Sequence, residues 1–324
     1  MAFPDLLHPP SHTSQSSALR LSQEAPRILA KAPTSSLPYP LSLLSSSETE
    51  ETWTIYENLF LSCLRTGDNV SARKCIDHLT ARFGAVNERI MALTGIYKEA
   101  AAADTAALVK VLDKYNEAIQ ADPTNMPVRK RKVATLKALN RPADAIASLV
   151  ELLDLSPTDA EAWSELSDLY LAQSMFSQAI YSLEEVLLIF PNAWAMQARM
   201  GELLYLSYLS SPADPSTLSE ALRRYCRSLE LCDDYLRGYY GLKITCQKIL
   251  ENAPKTSSKA VAASEDLPPP SPAKVEKLHE LATKKLAEIV RRASQQEPGW
   301  DGYDEAELIA ARALLDRDAE VIVR

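Results

Sequence analysis

Apolar residues recur at helical spacing through most of the chain, from about residue 48 to residue 252. Leu and Ala supply most of these positions, Gly is scarce at 8 residues, and alternating runs of Val, Ile and Thr are missing. This pattern favours amphipathic helices and leaves little from which strands could form. We therefore predict an all-α chain.

Three prolines mark a repeat, because Pro123, Pro157 and Pro191 follow one another at intervals of 34 residues. This is the length of a tetratricopeptide repeat (TPR), whose pattern is W-x2-L-G-x2-Y, then A-x3-F, then P. The segment from Asp159 to Pro191 fits that pattern, with Ser in place of Gly and Leu in place of Phe. The fitting positions are Trp163, Leu166, Ser167, Tyr170, Ala179, Leu183 and Pro191. The sequence predicts a TPR α-solenoid, a right-handed superhelix of helical hairpins.

The residue types at these positions have a packing reason. Small side chains at Ser167 and Ala179 let the two helices of a hairpin approach, and large ones such as Trp163 fill the space around them. Pro191 ends the second helix because it has no backbone N–H. If Trp163 is fully buried, its removal should cost about 3–5 kcal/mol.

Composition divides the chain into five segments. Residues 1–47 are rich in Ser and Pro and are predicted to be a disordered tail. Residues 48–252 should hold the solenoid, about five hairpins in all. Residues 253–273 form a second Pro/Ser-rich segment, a predicted linker. We expect a capping helix at 274–293 and a C-terminal tail with a short helix at 294–324, because an array must cover its last apolar face.

Charge and cysteine content argue against several classes of protein. The net charge of -8 argues against nucleic-acid binding, which needs a basic field. The cysteines are five, an odd number without a CxxC pair or a His at metal-ligand spacing, so we expect reduced, buried thiols. The start "MAFPDLLHPPSH" lacks the pattern of a signal peptide, and no window is long and apolar enough to span a bilayer.

No catalytic constellation emerges from the motifs. His8 and His12 fall in the predicted tail, while His78 and His279 lie on amphipathic helices without a Cys or Ser partner in a known motif. The segment "RGYYGLK" lacks the spacing and preceding strand of a phosphate-binding loop. We therefore expect no enzyme, no cofactor and no metal.

Charged residues on the first helices are the candidate binding site. In TPR arrays, positions 2, 5, 6, 9, 12 and 13 of each first helix line the concave groove. This register selects a basic stripe beside an acidic one, which suits a charged peptide or helix from a partner. The simpler alternative, a solvated helix face, stays open, as does a nuclear signal or RNA patch at "RKRK" (129–132). The candidate groove residues are Lys130, Arg131, Lys137, Glu161, Glu165, Asp168, Arg199 and Glu202.

A specific alternative is a co-chaperone adaptor that clamps the acidic tails of heat-shock chaperones. Lys130 and Arg199 fit two of the five clamp positions. Ala134, Glu165 and Ala195 occupy the other three, and Glu165 would repel a carboxylate. The sequence therefore argues against the clamp.

Several segments together resemble one family, the second subunit of the endoplasmic reticulum (ER) membrane protein complex. The resemblance rests on "DPTN" leading into "RKRK", on "EAW-EL--LY" and "A---LEE", and on "W-IYE", "RRYCRSLEL" and "RGYYGL". It covers roughly residues 50–250 and includes charged as well as apolar positions. It does not extend to the N-terminal tail, the insert at 210–217 or the linker, which look like additions of a fungal version.

The resemblance implies a non-catalytic scaffold on the cytoplasmic face of the ER membrane. Such a subunit supports the insertion of tail-anchored and multi-pass proteins. It holds the cytosolic parts of other subunits of the complex, the third and fifth and in some organisms the eighth or ninth. It is peripheral to the membrane through these partners.

Overall fold

A computed structural model of the chain describes residues 7–8, 15–30, 50–212, 214–252, 270–295, 297, 299–300 and 302–322. These described residues form fifteen helices and no strand, which confirms the prediction of an all-α TPR-like fold. The chain divides into two compact units, Met1–Leu155 and Ser156–Arg324. The predicted solenoid segment contributes helices to both units, and each unit is described by itself.

The first unit contains eight helices in its described part. They are α1 (Gln15–Gln23), α2 (Ala25–Ala30), α3 (Glu50–Thr66), α4 (Asn69–Phe83), α5 (Glu88–Ala100), α6 (Thr105–Ala121), α7 (Met126–Ala138) and α8 (Pro142–Leu155). Helices α3 and α4, α5 and α6, and α7 and α8 pack as successive pairs.

The second unit contains seven helices in its described part. They are α9 (Ala160–Ala172), α10 (Phe176–Ile189), α11 (Trp194–Ser210), α12 (Ser216–Leu231), α13 (Leu236–Asn252), α14 (Pro272–Ser294) and α15 (Glu305–Ile322). Helices α9 and α10, α11 and α12, and α13 and α14 pack as pairs, and α15 packs on α14.

Asp and Asn side chains fix the starts of many helices. Asp68 accepts a hydrogen bond from the Ser71 backbone N–H, and Asp159 accepts one from the Ala162 N–H. Asn125 is buried and does the same for the N–H of Val128 at the start of α7. Each cap satisfies a backbone donor that has no partner inside its helix. The turn residue before the repeat's first helix therefore sets where that helix begins.

The expectation of disorder is wrong for part of the N-terminal tail. Residues 15–30 form α1 and α2, which pack against α3 and α4. Ala18, Leu21 and Ala25 are buried, and Ala25 joins the core of the first hairpin with Phe60. The apolar positions of α1 have helical spacing within a Ser-rich composition, and the contact with α3 and α4 offsets the entropy of ordering them. Apart from residues 7–8, the rest of the predicted tail lies outside the described residues.

The hairpin of α9 and α10 carries the hallmark residues as predicted, with one correction. Leu166, Ser167, Ala179 and Leu183 are all buried, and the Ser167 hydroxyl donates to the Ala179 carbonyl oxygen at 2.8 Å. Tyr170 packs half-buried against the same core, and the prolines Pro123, Pro157 and Pro191 are exposed between helices.

Trp163 is not fully buried. Its indole N–H donates to the Pro157 carbonyl oxygen at 2.8 Å, and its ring meets Tyr181 edge-on at 6.1 Å. The polar edge of the indole is thus held at the surface while the rest packs against the hairpin core. Its removal should cost about 2 kcal/mol, less than the predicted 3–5 kcal/mol, because less apolar surface is lost.

The C-terminal helices cover the apolar face of α13. Val275, Ala282, Leu286 and Ile289 of α14 are buried in the core around Tyr239 of α13. The capping helix predicted at 274–293 is therefore present with nearly the predicted bounds. The expected short helix of the last segment is longer, with 18 residues in α15. The linker at 253–273 lies outside the described residues except for 270–273, of which Pro272 and Ala273 begin α14.

The cysteines are all free thiols, and three of them match the expected burial. Cys63, Cys75 and Cys246 are buried, whereas Cys226 and Cys232 are half-buried, so the prediction of burial is wrong for these two. Burial raises the pKa of Cys63 to about 11 and that of Cys75 to about 12. At neutral pH these two are protonated core residues.

Candidate partner-binding face

Ion pairs join three neighbouring pairs of hairpin first helices, α3 with α5, α5 with α7 and α9 with α11. In each, an acid on one helix binds an arginine on the next. In the first unit, Arg89 of α5 binds Glu57 of α3 through two hydrogen bonds, Nη2 to Oε1 at 2.6 Å and Nε to Oε2 at 2.9 Å. This two-pronged geometry is the stronger form of an arginine–carboxylate pair. The Glu57 side chain is only 21% exposed. The Arg89 side chain, itself 71% exposed, lies on its solvent side.

The next pair of this kind is less exposed and has a third, buried member. Arg131 of α7 binds Glu99 of α5 with both Nε, at 3.3 Å, and Nη2. The Tyr115 hydroxyl of α6 donates to the same carboxylate. We call Glu99, Tyr115 and Arg131 the buried triad, since their side chains come from three helices and Glu99 is only 14% exposed.

Gly95 of α5 makes room for this arrangement. A Cβ atom at Gly95 would lie 2.0 Å from the Tyr115 hydroxyl oxygen and 2.6 Å from its Cε1. Only a residue without a side chain lets the phenol lie flat against α5 and reach Glu99 one turn further along. Gly95 is therefore required for packing, although its backbone has ordinary helical geometry.

The pKa shifts of the triad follow from its burial and pairing. Burial, and then the hydrogen bond and charge of Glu99, raise the pKa of Tyr115. Burial alone lowers the pKa of Arg131, but its hydrogen bond to Glu99 and the charge of Glu99 outweigh that effect, so the pKa is raised overall. Both groups hold their protons at any physiological pH. The triad is an ion pair with a neutral phenol and not a proton-transfer site.

The second unit has a comparable pair in an exposed setting. Arg199 of α11 binds Asp168 of α9 at 2.7 Å and Glu202 of its own helix at 2.6 Å. Arg199 is 31% exposed, Asp168 58% and Glu202 47%. We call these three residues the exposed triad. Because one guanidinium faces two carboxylates, the exposed triad carries a net negative charge.

The structure thus brings together half of the predicted groove residues, but as pairs within the chain. Arg131 belongs to the buried triad, where its side chain is 28% exposed and pairs with Glu99. Asp168, Arg199 and Glu202 lie together as the exposed triad. Lys137 and Glu161 are exposed, whereas Lys130 and Glu165 are half-buried. The role of these residues in binding stays a prediction.

Sequence analysis missed three members of these pairs, Glu57, Arg89 and Glu99. The signal that could have found them is their spacing. The acid and the arginine are 32 residues apart in the first two pairs and 31 apart in the third. That separation is two or three residues short of the repeat length, which places the two side chains on adjacent first helices.

A further polar cluster joins α13 to α14. Lys243 is fully buried, its Nζ donates to the Thr283 hydroxyl at 2.7 Å, and it lies 3.3 Å from His279 Nε2. His279 thus faces the neighbouring helix in a structural setting, as expected for it. An isolated buried ammonium is costly, so these contacts fix which residues of α14 face α13.

The part of the chain that the structure describes contains no candidate metal site and no candidate membrane span. No group of three or more His, Cys, Asp or Glu side chains there could hold a metal ion. No described helix has the length and apolar character needed to cross a bilayer.

The fold and the sequence define the class of protein first. The structure resembles the C-terminal part of a TPR repeat-containing protein of Cytophaga hutchinsonii, with a TM-score of 0.51 and 14% sequence identity, over 92% of this chain and 99% of that one. The family model described as EMC2 TPR-like repeat domain matches residues 92–207. The protein is a helical-repeat protein of the TPR type.

Relatives then define the family within this class. The TPR repeat protein oca3 of Schizosaccharomyces pombe is 34% identical over 202 residues, which cover 62% of this chain and 69% of that one. ER membrane protein complex subunit 2 of Xenopus tropicalis is 32% identical over 210 residues, 65% and 67% of the two chains. The Saccharomyces cerevisiae subunit 2 is 27% identical over 206 residues, 61% and 70%. The chain belongs to the family of ER membrane protein complex subunit 2.

Proposed function

We propose that the protein is a non-catalytic scaffold subunit of the ER membrane protein complex, at the cytoplasmic face of the ER membrane. In this role it holds the cytosolic parts of membrane-spanning subunits and so supports the insertion of tail-anchored and multi-pass proteins. The observation that carries the proposal is the match of 210 and 206 residues of the chain to two relatives named as subunit 2 of that complex. The partners we propose are the third and fifth subunits, with the eighth or ninth where present.

The charge of the exposed triad supports a particular kind of contact. Asp168 and Glu202 share a single guanidinium, that of Arg199, and Glu161 and Glu165 lie on the same helix as Asp168. Cytosolic segments next to membrane spans carry an excess of Lys and Arg. Complementary charges steer such segments to an acidic surface and fix their register. We therefore propose that the second unit receives a basic cytosolic segment of a membrane subunit.

The same contacts disfavour the co-chaperone alternative. Arg199, one of the two residues that fit a carboxylate clamp, already binds two carboxylates of its own chain. The acidic tail of a chaperone would have to displace them and would meet the remaining negative charge. A carboxylate clamp is therefore poorly supported at this surface.

The test is affinity purification of the tagged full chain from a fungal cell extract in mild detergent, followed by quantitative mass spectrometry. We expect a set of integral ER membrane proteins to co-purify in stoichiometric amounts. Recovery of the chain alone, or with soluble chaperones only, would contradict the proposal.

A matched pair of variants tests the proposed contact. Asp168→Asn with Glu202→Gln removes two charges from the exposed triad, and we expect it to lower recovery of the membrane subunits. Glu184→Gln with Glu230→Gln removes two exposed charges from the second helices α10 and α12 and should leave recovery unchanged. Equal recovery of both variants would show that the partner binds elsewhere while the scaffold role stands.

A further inference from the structure

A serine at the start of α14 has the surroundings of a protein-kinase substrate. The sequence contains three Ser-Pro dipeptides, at Ser156, Ser211 and Ser271. The residue three places after the serine is acidic at the first two, Asp159 and Asp214. At Ser271 it is Lys274. Proline-directed kinases of the cyclin-dependent class select Pro directly after the serine and a basic residue at this third place, so Ser271 alone has the full pattern.

The structure leaves this segment accessible. Ser271, Pro272, Ala273 and Lys274 are all exposed, and the buried part of α14 begins only at Val275. Ser271 has φ -65° and ψ 146°, the extended polyproline-type geometry in which kinases bind their substrates. The serine therefore stands at the surface, just outside the helical core of the second unit.

The first turn of α14 is held by few bonds. No side chain caps it, and Pro272 has no N–H to donate. The backbone bonds from Lys274 N and Val275 N to the Ser271 carbonyl oxygen, at 2.9 and 3.1 Å, close the turn. Extending residues 271–274 would open these two bonds and the helical bonds that the carbonyl groups of residues 272–274 accept, while Val275 stays packed in the core.

We propose that Ser271 is a phosphorylation site for a proline-directed protein kinase, and that the phosphate then caps α14. In the transfer, Ser271 Oγ attacks the γ-phosphorus of ATP, the bond from that phosphorus to the β–γ bridging oxygen breaks, and ADP leaves. The hydroxyl proton passes to the catalytic carboxylate of the kinase. The product carries a charge of about -1.5 to -2 at neutral pH.

The position of the phosphate decides its effect on the fold. It lies at the helix N-terminus, where first-turn N–H groups have no side-chain acceptor and the helix dipole favours negative charge. Lys274, one turn away, adds a positive charge. The modification therefore stabilises the start of the helix that covers α13. This proposal does not depend on the proposed role in the membrane complex.

The test incubates the purified full chain with a recombinant cyclin-dependent kinase complex and ATP, and follows each serine by mass spectrometry. We expect Ser271 to be modified at least about tenfold faster than Ser211, since a single charged contact in the kinase site is worth roughly that factor. From the serine to the third place after it, the two sites differ only at that third place, Ser-Pro-Ala-Lys against Ser-Pro-Ala-Asp. Lys274→Asp should therefore reduce labelling of Ser271 to the rate of Ser211, and Ser271→Ala should abolish it.

Labelling of Ser271 no faster than Ser211, or unchanged by Lys274→Asp, would overturn the assignment. The capping effect has its own readout, hydrogen exchange of the first turn of α14 in the phosphorylated and unmodified chains. We expect exchange to slow by about two- to fivefold. Exchange that is unchanged or faster would overturn the cap, since a stabilised turn must open less often.

Discussion

The two units carry the same kind of ion pair but bury it to different degrees. In the buried triad of the first unit, Glu99 and Arg131 are 14% and 28% exposed, and in the exposed triad of the second, Asp168 and Arg199 are 58% and 31% exposed. The spacing along the sequence is nearly identical, 32 and 31 residues. Nearly equal spacing therefore gives a structural ion pair in one unit and an accessible charged surface in the other.

The difference arises from the third member of each triad. In the first unit it is Tyr115, which reaches Glu99 from the second helix of the hairpin because Gly95 leaves room. In the second unit it is Glu202, which lies on the same helix as Arg199 and leaves the pair open to water. A tyrosine also faces glycine in the second unit, where Tyr225 of α12 lies between Gly201 and Gly241. There the phenol joins the apolar core, where burial, and then the charge of Glu202, raise its pKa.

The largest effect should come from breaking the buried triad. Glu99→Gln removes the charge that Arg131 and the Tyr115 hydroxyl share, and we expect a loss of about 2–3 kcal/mol in the stability of the first unit. The value is below that of a fully buried pair, because Arg131 retains some contact with water. Native-state hydrogen exchange of α5 to α7 measures it.

The control for this variant is Glu117→Gln, which breaks an exposed pair with Lys114 in the same unit. It should change stability by less than about 0.5 kcal/mol. Equal losses in the two variants would mean that the buried triad is no more than a surface ion pair.

A smaller loss should follow from filling the space beside Tyr115. In an ordinary helix Gly→Ala stabilises by about 1 kcal/mol. At Gly95 the methyl group would overlap the phenol, so we expect Gly95→Ala to destabilise the first unit by about 1–2 kcal/mol net. Native-state hydrogen exchange of α5 to α7 measures this loss as well.

Adding Tyr115→Leu to Gly95→Ala provides the control, because it removes the ring that the methyl group meets. The double variant should lose less stability than the sum of the single variants. A simple sum would show that the ring and the glycine do not act through each other.

The smallest effect is expected in the second unit. Asp168→Asn leaves Arg199 bound to Glu202, and the free energy of unfolding should stay within about 0.5 kcal/mol of that of the unchanged chain. Thermal denaturation at low and at high salt measures this. A loss above about 2 kcal/mol would place the exposed triad in the same structural class as the buried one.

The sequence predicted the structure best where the spacing of residues within one hairpin decides which positions are buried. Leu166, Ser167, Ala179 and Leu183 lie where the repeat pattern put them, because the spacing of a hairpin alone determines which positions face its partner helix. The capping helix was predictable for the same reason, from its apolar face and the proline at its start.

Contacts between distant residues were not predictable in the same way. Composition pointed to disorder for residues 15–30, but α1 and α2 are ordered by an apolar surface on α3 and α4 that composition does not reveal. The repeat register places Arg131 on the groove side of α7, but it does not reveal the ion pair of Arg131 with Glu99 on the neighbouring first helix. Charge at a repeat position says little about exposure until the partner on the neighbouring repeat is known.

The measurement that tests this comparison most directly is a pair of double-mutant cycles. One combines Glu99→Gln with Arg131→Met, and the other combines Asp168→Asn with Arg199→Met, each read from hydrogen exchange of its own unit. We predict a coupling free energy of about 2 kcal/mol or more for the first pair and below about 0.5 kcal/mol for the second. Equal coupling in the two pairs would contradict the division into a structural triad and an accessible one.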